Sequence, residues 1–437
     1  MNRKKLSTAM QLVALVICLG SAPIVSGHGP VDRSADLAPV EARLFAGDNQ
    51  DGSVIVVDLP SADTVRRLST PPFIISVGWP GHGPYVYILR GRNTDRDFVT
   101  VIDSGFEGDG QARPPFIARS FVPGAAPGGT DQGRLMTIGG RPSLFLDDDG
   151  ELVVFEGEDF GGLGDIPVRR YPLAGKQDHL HLVETDEYLY VGYLMKGIVQ
   201  IIEKESGNEV KRIEGCPILY GATAEKETGR AFFSCHRDVL VVGTRGEEMH
   251  KVLGRIQYPS RQRIGPFLHG RDRVLWGYTE SSISELQRLD LKQEPYVIES
   301  LPVDSSIQQN ASPDGNYLLV YTRNGMLDIR DGGTGELINQ IRVSRAFDQE
   351  YHEHVDRALL PDIRFLGGRV YVSLPHEGRI AELTLDPAEV LRYIDVGGEP
   401  TRMVAIPADL QAEFLSRHSL ATSIVSGAGT LEAIESD

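Results

Sequence analysis

Eight segments of one pattern recur along the 437-residue chain, and their spacing limits the fold more than any other feature. In each copy a turn leads into an alternating strand, often followed by an acidic residue and a second strand. The clearest copies are Gly52-Ser-Val-Ile-Val-Val-Asp58, Gly197-Ile-Val-Gln-Ile-Ile-Glu203 and Gly325-Met-Leu-Asp-Ile-Arg-Asp331. Others begin at Asp97, Gly150 and Gly378, with weaker copies at Arg237 and Ser282. The mean interval is about 47 residues, room for four short strands and their turns. Period-2 alternation with turns every 8–12 residues reads as strand, not helix.

These observations predict an all-β chain folded as an eight-bladed β-propeller. The two weaker copies leave seven blades as the alternative. In blade four, His179–Glu184 is expected innermost, followed outward by Glu187–Tyr193, Gly197–Glu203 and Glu209–Ile213. Arg43–Gly47 reads as a second strand whose innermost partner is missing. Thr401–Ile406, near the other end of the chain, is predicted to supply that partner and close the ring, which removes exposed sheet edges.

The domain plan follows. Residues 1–27 read as a signal peptide: Arg3, Lys4 and Lys5 come first, then the short apolar run Met10–Leu19, then Val25-Ser26-Gly27 before a cleavage at His28. A lipoprotein site would use Cys18, but Ile17 is bulky for that position. Residues 28–42 are a polar lead-in, 43–407 the propeller and 408–437 a C-terminal tail. No other stretch approaches the ~18 apolar residues of a membrane span, so no anchor is expected. A formal net charge of −17 repels phosphate backbones and argues against nucleic acid as a partner.

Loss of the leader removes Cys18 and leaves Cys216 and Cys235. An even count in an exported chain favours a disulfide. The strand map puts both cysteines at the same edge of adjacent strands of blade five. The alternative is two unpaired buried thiols.

In a propeller, the connections entering the innermost strand share one face with the turns between strands two and three. Six of the eleven histidines fall there: His179 and His181, His352 and His354, His236 and His376. His179 and His181, two apart on one strand, point to the same side. Asp178, Glu353 and Asp356 add oxygen donors nearby. His82 and His269 fall toward the opposite face. Neutral imidazoles with a carboxylate suit tetrahedral Zn²⁺, and His179, His181, His352, His354 and His376 are the candidate ligands. Blades four and eight are opposed in an eight-blade ring, so one site or two are open. The competing reading has each histidine bonded to a backbone carbonyl.

Signatures of enzymes are thin. There is no Gly-x-Ser-x-Gly elbow, Walker loop or His-Glu-x-x-His. Asp147-Asp148-Asp149-Gly150 lacks the other ligands of a calcium loop and reads as a solvated acidic turn. The chain is therefore not expected to be an enzyme.

Several segments resemble the AztD-type periplasmic zinc metallochaperone family. They are Cys216-Pro-Ile-Leu-Tyr-Gly-Ala-Thr, then Ala231-Phe-Phe-Ser-Cys235 and Val239-Leu-Val-Val, together with Asp178-His179-Leu-His181 and Arg369-Val-Tyr-Val-Ser-Leu-Pro-His376. The resemblance spans about residues 43–407. It implies a periplasmic propeller that binds Zn²⁺ and passes it to the solute-binding protein of a zinc ABC importer, and a monomer is expected. Two departures stand out. Tyr220 occupies a position where the family has a His, and His28 alone remains of a His-rich N-terminal stretch. The fold carries over, and the ligand set only in part. A metal-free periplasmic propeller serving as an interaction scaffold is the alternative, and a quinone-type dehydrogenase subunit a third reading.

Overall fold

Each repeat folds as a four-stranded antiparallel sheet, giving eight sheets. The computed structural model describes residues 40–410 except 64, 71–73, 91–97, 107–111, 123–134, 147–148, 158–159, 161–164, 177, 260–263, 279–283 and 347–358. The expected signal peptide, most of the lead-in and nearly all of the tail lie outside the described residues, as do His352, Glu353, His354 and Asp356.

Blade four runs outward through Leu180–Glu184, Tyr188–Tyr193, Val199–Glu203 and Glu209–Ile213, within two residues of the predicted layout. The weaker copies are complete blades too. Blade five holds Ala222–Glu225, Arg230–Ser234, Asp238–Gly243 and Val252–Gln257. In blade six the third strand is Glu285–Asp290. Eight blades are present, and the seven-blade alternative is excluded.

Side-chain pattern explains the architecture. The third strand of blade one, Val54–Leu59, is buried throughout, because neighbouring blades cover both of its faces. Ile55 and Val57 pack toward blade eight, while Val54 and Val56 pack toward blade two. The outermost strand Val65–Leu68 has one face in solvent and alternates. Buried clusters of this kind fill all eight seams between neighbouring blades. Each fully buried Val, Leu or Ile in a seam contributes roughly 1.5–3 kcal/mol relative to exposure.

The ring closes as the sequence predicts. The C-terminal strand Pro400–Pro407 pairs antiparallel with Ala42–Asp48 and becomes the innermost strand of blade one. Asp362, at the start of blade eight's inner strand, joins this closure: its Oδ2 accepts the Met403 N–H at 2.7 Å. Arg43 ties blade one to blade two. Its Nε donates to Asp58 Oδ1 at 2.6 Å, and its Nη1 donates to the carbonyls of Ser104 and Arg113. The guanidinium also lies over the Phe106 ring, 4.9 Å from its centre. The buried cation is thus paired with a carboxylate and two backbone carbonyls, as a charge out of water requires.

Candidate metal centre

The inner strand of blade four begins with two histidines whose placement is fixed by the backbone. His179 sits just before the strand, and its carbonyl accepts the Leu194 N–H at 2.9 Å. His181 lies within the strand, paired in register with Gly192. Both side chains are buried, at 5% and 1% exposure. Their ring centres are 5.3 Å apart.

Asp178 holds this start of the strand in place. Its Oδ1 accepts the Met195 N–H at 2.8 Å and its Oδ2 the Lys196 N–H at 3.1 Å. Sequence analysis offered Asp178 as an oxygen donor for a metal. The structure engages both its oxygens in closing the turn between strands two and three.

Blade five contributes a third ring. Tyr220, 4% exposed, precedes that blade's inner strand. Its ring lies 5.3 Å from each imidazole, nearly parallel to His179 at 18° and steeply inclined to His181 at 67°. The three ring centres form an equilateral triangle across the seam between blades four and five.

Local chemistry explains why Tyr220 reaches that seam. Cys216 and Cys235 are joined in a disulfide with Cα atoms 4.8 Å apart, bracketing the segment that carries Tyr220. Cys216 N–H donates to the Gly197 carbonyl of blade four at 2.8 Å, and Tyr220 N–H donates to Ser234 O at 2.8 Å. Two glycines permit the close approach. A Cβ on Gly197, whose φ is +63°, would meet Pro217 Cα at 2.8 Å, and one on Gly192 would meet Leu219 Cδ1 at 2.6 Å. The first contact, made with backbone, would push the blade-five segment away from blade four, and the second would displace the Leu219 side chain.

The other described candidates lie elsewhere. His376 occupies the short 3-10 turn Pro375–Glu377 between the second and third strands of blade eight. Its Nε2 is 3.5 Å from Glu377 Oε1. His236 is exposed, as its place in a turn implies. On the other face, His82 Nε2 bonds the Gly140 carbonyl and His269 Nε2 bonds Thr223 Oγ1, both at 2.7 Å. His250, for which the sequence offered no context, stands against Tyr188 and Tyr190, with Nδ1 2.9 Å from the Tyr190 hydroxyl. Burial, aided by the nearby charge of Lys211, lowers the pKa of His250 below the usual imidazole value. Among the described residues, no three of His, Cys, Asp and Glu converge as a metal-binding group. What converges is two imidazoles and a phenol.

Sequence reading noted Tyr220 only as a departure from a family pattern and did not place it beside the histidines. The disulfide and the blade assignment were the available signals, since together they bring the start of blade five's inner strand level with that of blade four.

A scan of protein-family models found no match to the sequence, and a search of curated proteins found none either. Solved structures do match. The structure of apo AztD from Citrobacter koseri superposes with a TM-score of 0.66 at 17% identity, covering 84% of this chain and 98% of that one. A crystal structure of Citrobacter koseri AztD gives 0.66 at 18% over the same shares. The dihydro-heme d1 dehydrogenase NirN, in complex with DHE, gives 0.59 at 14%, covering 84% of this chain and 75% of that one. The chain shares the fold of AztD, as the sequence resemblance implied.

Proposed function

We propose that this chain is an exported, non-catalytic propeller that carries Zn²⁺ as cargo and passes it in the periplasm to the solute-binding protein of a zinc ABC importer. The observation that carries this reading is the closeness of the buried His179 and His181 imidazoles, whose ring centres are 5.3 Å apart. Imidazole nitrogen is a favoured zinc donor, with bonds of about 2.0–2.1 Å. His352, His354 and His376 are proposed as further donors, in one site with the pair or in a second site at blade eight. The AztD fold supports the reading, and the Cys216–Cys235 disulfide agrees with an oxidising compartment. The negative net charge favours approach of a cation, an effect that salt screens.

The test is zinc analysis of protein purified without chelators, followed by transfer to the importer's binding protein. Bound zinc that moves to the acceptor supports the reading. Zinc-free protein that takes up none on titration leaves the metal-free scaffold in its place. Redox-cofactor absorbance in the purified protein would instead support the dehydrogenase reading.

A further inference from the structure

The His179 and His181 imidazoles are closed in by a ring from the next blade. We propose that Tyr220 is the gate of this pair: its ring shuts the imidazoles off from solution, and its rotation sets how fast an ion enters and leaves. This rests on the reading that the pair holds Zn²⁺, and it adds what regulates access to that site.

Packing is the first support. Tyr220 lies face-on to His179, with 18° between planes, and edge-on to His181 at 67°, in both cases 5.3 Å between centres. These are the stacked and edge-to-face arrangements that aromatic rings prefer. One ring thus packs on both imidazoles, and all three residues are buried. With so little surface in water, the imidazoles meet a dissolved ion only after a ring moves.

The backbone shows which part moves. Tyr220 N–H donates to the Ser234 carbonyl at 2.8 Å, and Ser234 N–H donates to the Gly221 carbonyl at 2.9 Å. Gly221 has φ +145°, and a Cβ there would meet the Gly265 carbonyl oxygen at 2.8 Å, so the chain leaves Tyr220 along a path suited to glycine. On the other side, Leu219 lies against Gly192, the register partner of His181, and the Cys216–Cys235 disulfide anchors the segment. The two histidines are held as firmly, by the strand register and the Asp178 turn. With both backbones fixed, the motion that remains is rotation of the Tyr220 side chain.

A ring in a close-packed seam turns only when its neighbours yield, which makes it a kinetic barrier. A gate of this kind slows entry and exit in similar proportion and leaves affinity nearly unchanged. Loss of a metal ligand, or a general loosening of the fold, lowers affinity instead. His250 tells a local gate from a loosened seam. It lies between the third and outermost strands of blade five and stands against Tyr188 and Tyr190 of blade four, across the same seam at its other face. Opening of the whole seam would expose His250 as well.

The experiment compares the mature unmutated chain, Tyr220→Phe and Tyr220→Ala at about pH 7.5, above the imidazole pKa. Zinc uptake and release are timed by stopped flow against a fluorescent zinc chelator. In metal-free protein, acylation of each histidine by diethyl pyrocarbonate is followed by peptide mass spectrometry, which reads access to the imidazoles without a metal. Tyr220→Ala is expected to speed zinc uptake and release at least about tenfold, as a barrier that loses a buried ring contact should, and to lower affinity less than about threefold. His179 acylation is expected to rise by at least about tenfold in the same variant, with His250 unchanged. Tyr220→Phe keeps the ring and should match the unmutated rates within about twofold. The unmutated chain gives a reading that needs no variant: His179 should react more slowly than the exposed His236, and equal rates overturn the gate. Zinc that binds through His179 but exchanges no faster in Tyr220→Ala leaves the zinc reading standing and overturns the gate. So does acceleration shared by Tyr220→Phe, or by His250. Should no protein bind zinc while Tyr220→Ala alone exposes His179 to the reagent, the zinc reading falls and the gate stands. No zinc binding and no change in acylation overturn both.

Discussion

The imidazole of His179 lies nearly parallel to the phenol ring of Tyr220, 18° between planes and 5.3 Å between centres, across the seam of blades four and five. The contact couples the proposed metal site to the integrity of that seam. Residues that shape the blade-five segment are therefore expected to affect metal binding without touching the metal.

The disulfide is the first such feature. Thiol labelling of the mature chain, denatured without reduction, is expected to find no free cysteine, and two labelled thiols would contradict the Cys216–Cys235 bond. Cys235→Ser is expected to destabilise the protein by about 3 kcal/mol on the chain-entropy estimate for a loop of this size. It should also weaken metal binding at His179, because Tyr220, whose ring packs on that imidazole, lies inside the closed loop. Urea unfolding and metal titration on the same samples check both effects.

The closing strand gives a second prediction. Asp362 accepts the Met403 N–H at 2.7 Å and the Ile363 N–H at 2.9 Å, and pairs with Arg364 Nη2 at 2.9 Å. Asp362→Ala leaves the buried Met403 N–H without its carboxylate acceptor. It is expected to lower stability by about 1.5–3 kcal/mol, the range for hydrogen bonds to charged groups. Truncation before residue 399 removes blade one's inner strand and should unfold or aggregate the chain. A stable, monomeric 1–398 fragment would contradict the closure.

Glu399 supplies a pH test. Burial, and secondarily the negative charge of Asp48, raises its carboxyl pKa above the ordinary value. A raised folded-state pKa favours folding below the unfolded value, and that contribution is lost as pH rises through the folded value. At pH 7 the Glu399 carboxylate thus opposes folding. Glu399→Gln is expected to raise Tm at pH 7 and to change it little near pH 4, where the carboxyl is largely protonated in both states. A lower Tm for the variant at pH 7 would contradict the assignment.

How much of this was legible beforehand depended on how local each feature is. The repeat at Gly52–Asp58 read as one strand of a propeller blade, and the unpartnered Arg43–Gly47 pointed to a closing strand at the far end of the chain. Both are patterns of neighbouring residues, and the structure bears them out. The register that pairs His181 with Gly192 places that histidine in the inner strand, and His179 stands one residue before the strand begins. Two site features were not legible. The carboxylate of Asp178 turns to the amides of Met195 and Lys196, which depends on how tightly that turn closes. The meeting of Tyr220 with both imidazoles depends on the approach of two blades, set by Gly192, Gly197, Leu219 and Pro217 rather than by any periodicity. His352 and His354 lie outside the described residues and keep the status of proposed donors.

The most direct test of the metal centre is chelator-competition titration of Zn²⁺ into the unmutated chain, His179→Ala and His82→Ala at about pH 7.5. His82 is exposed and bonded to Gly140 on the opposite face, so it serves as the control. The account predicts binding by the unmutated chain, a loss of at least about tenfold for His179→Ala, and no change for His82→Ala. Equal zinc affinity in all three proteins, or no binding by any of them, would contradict it.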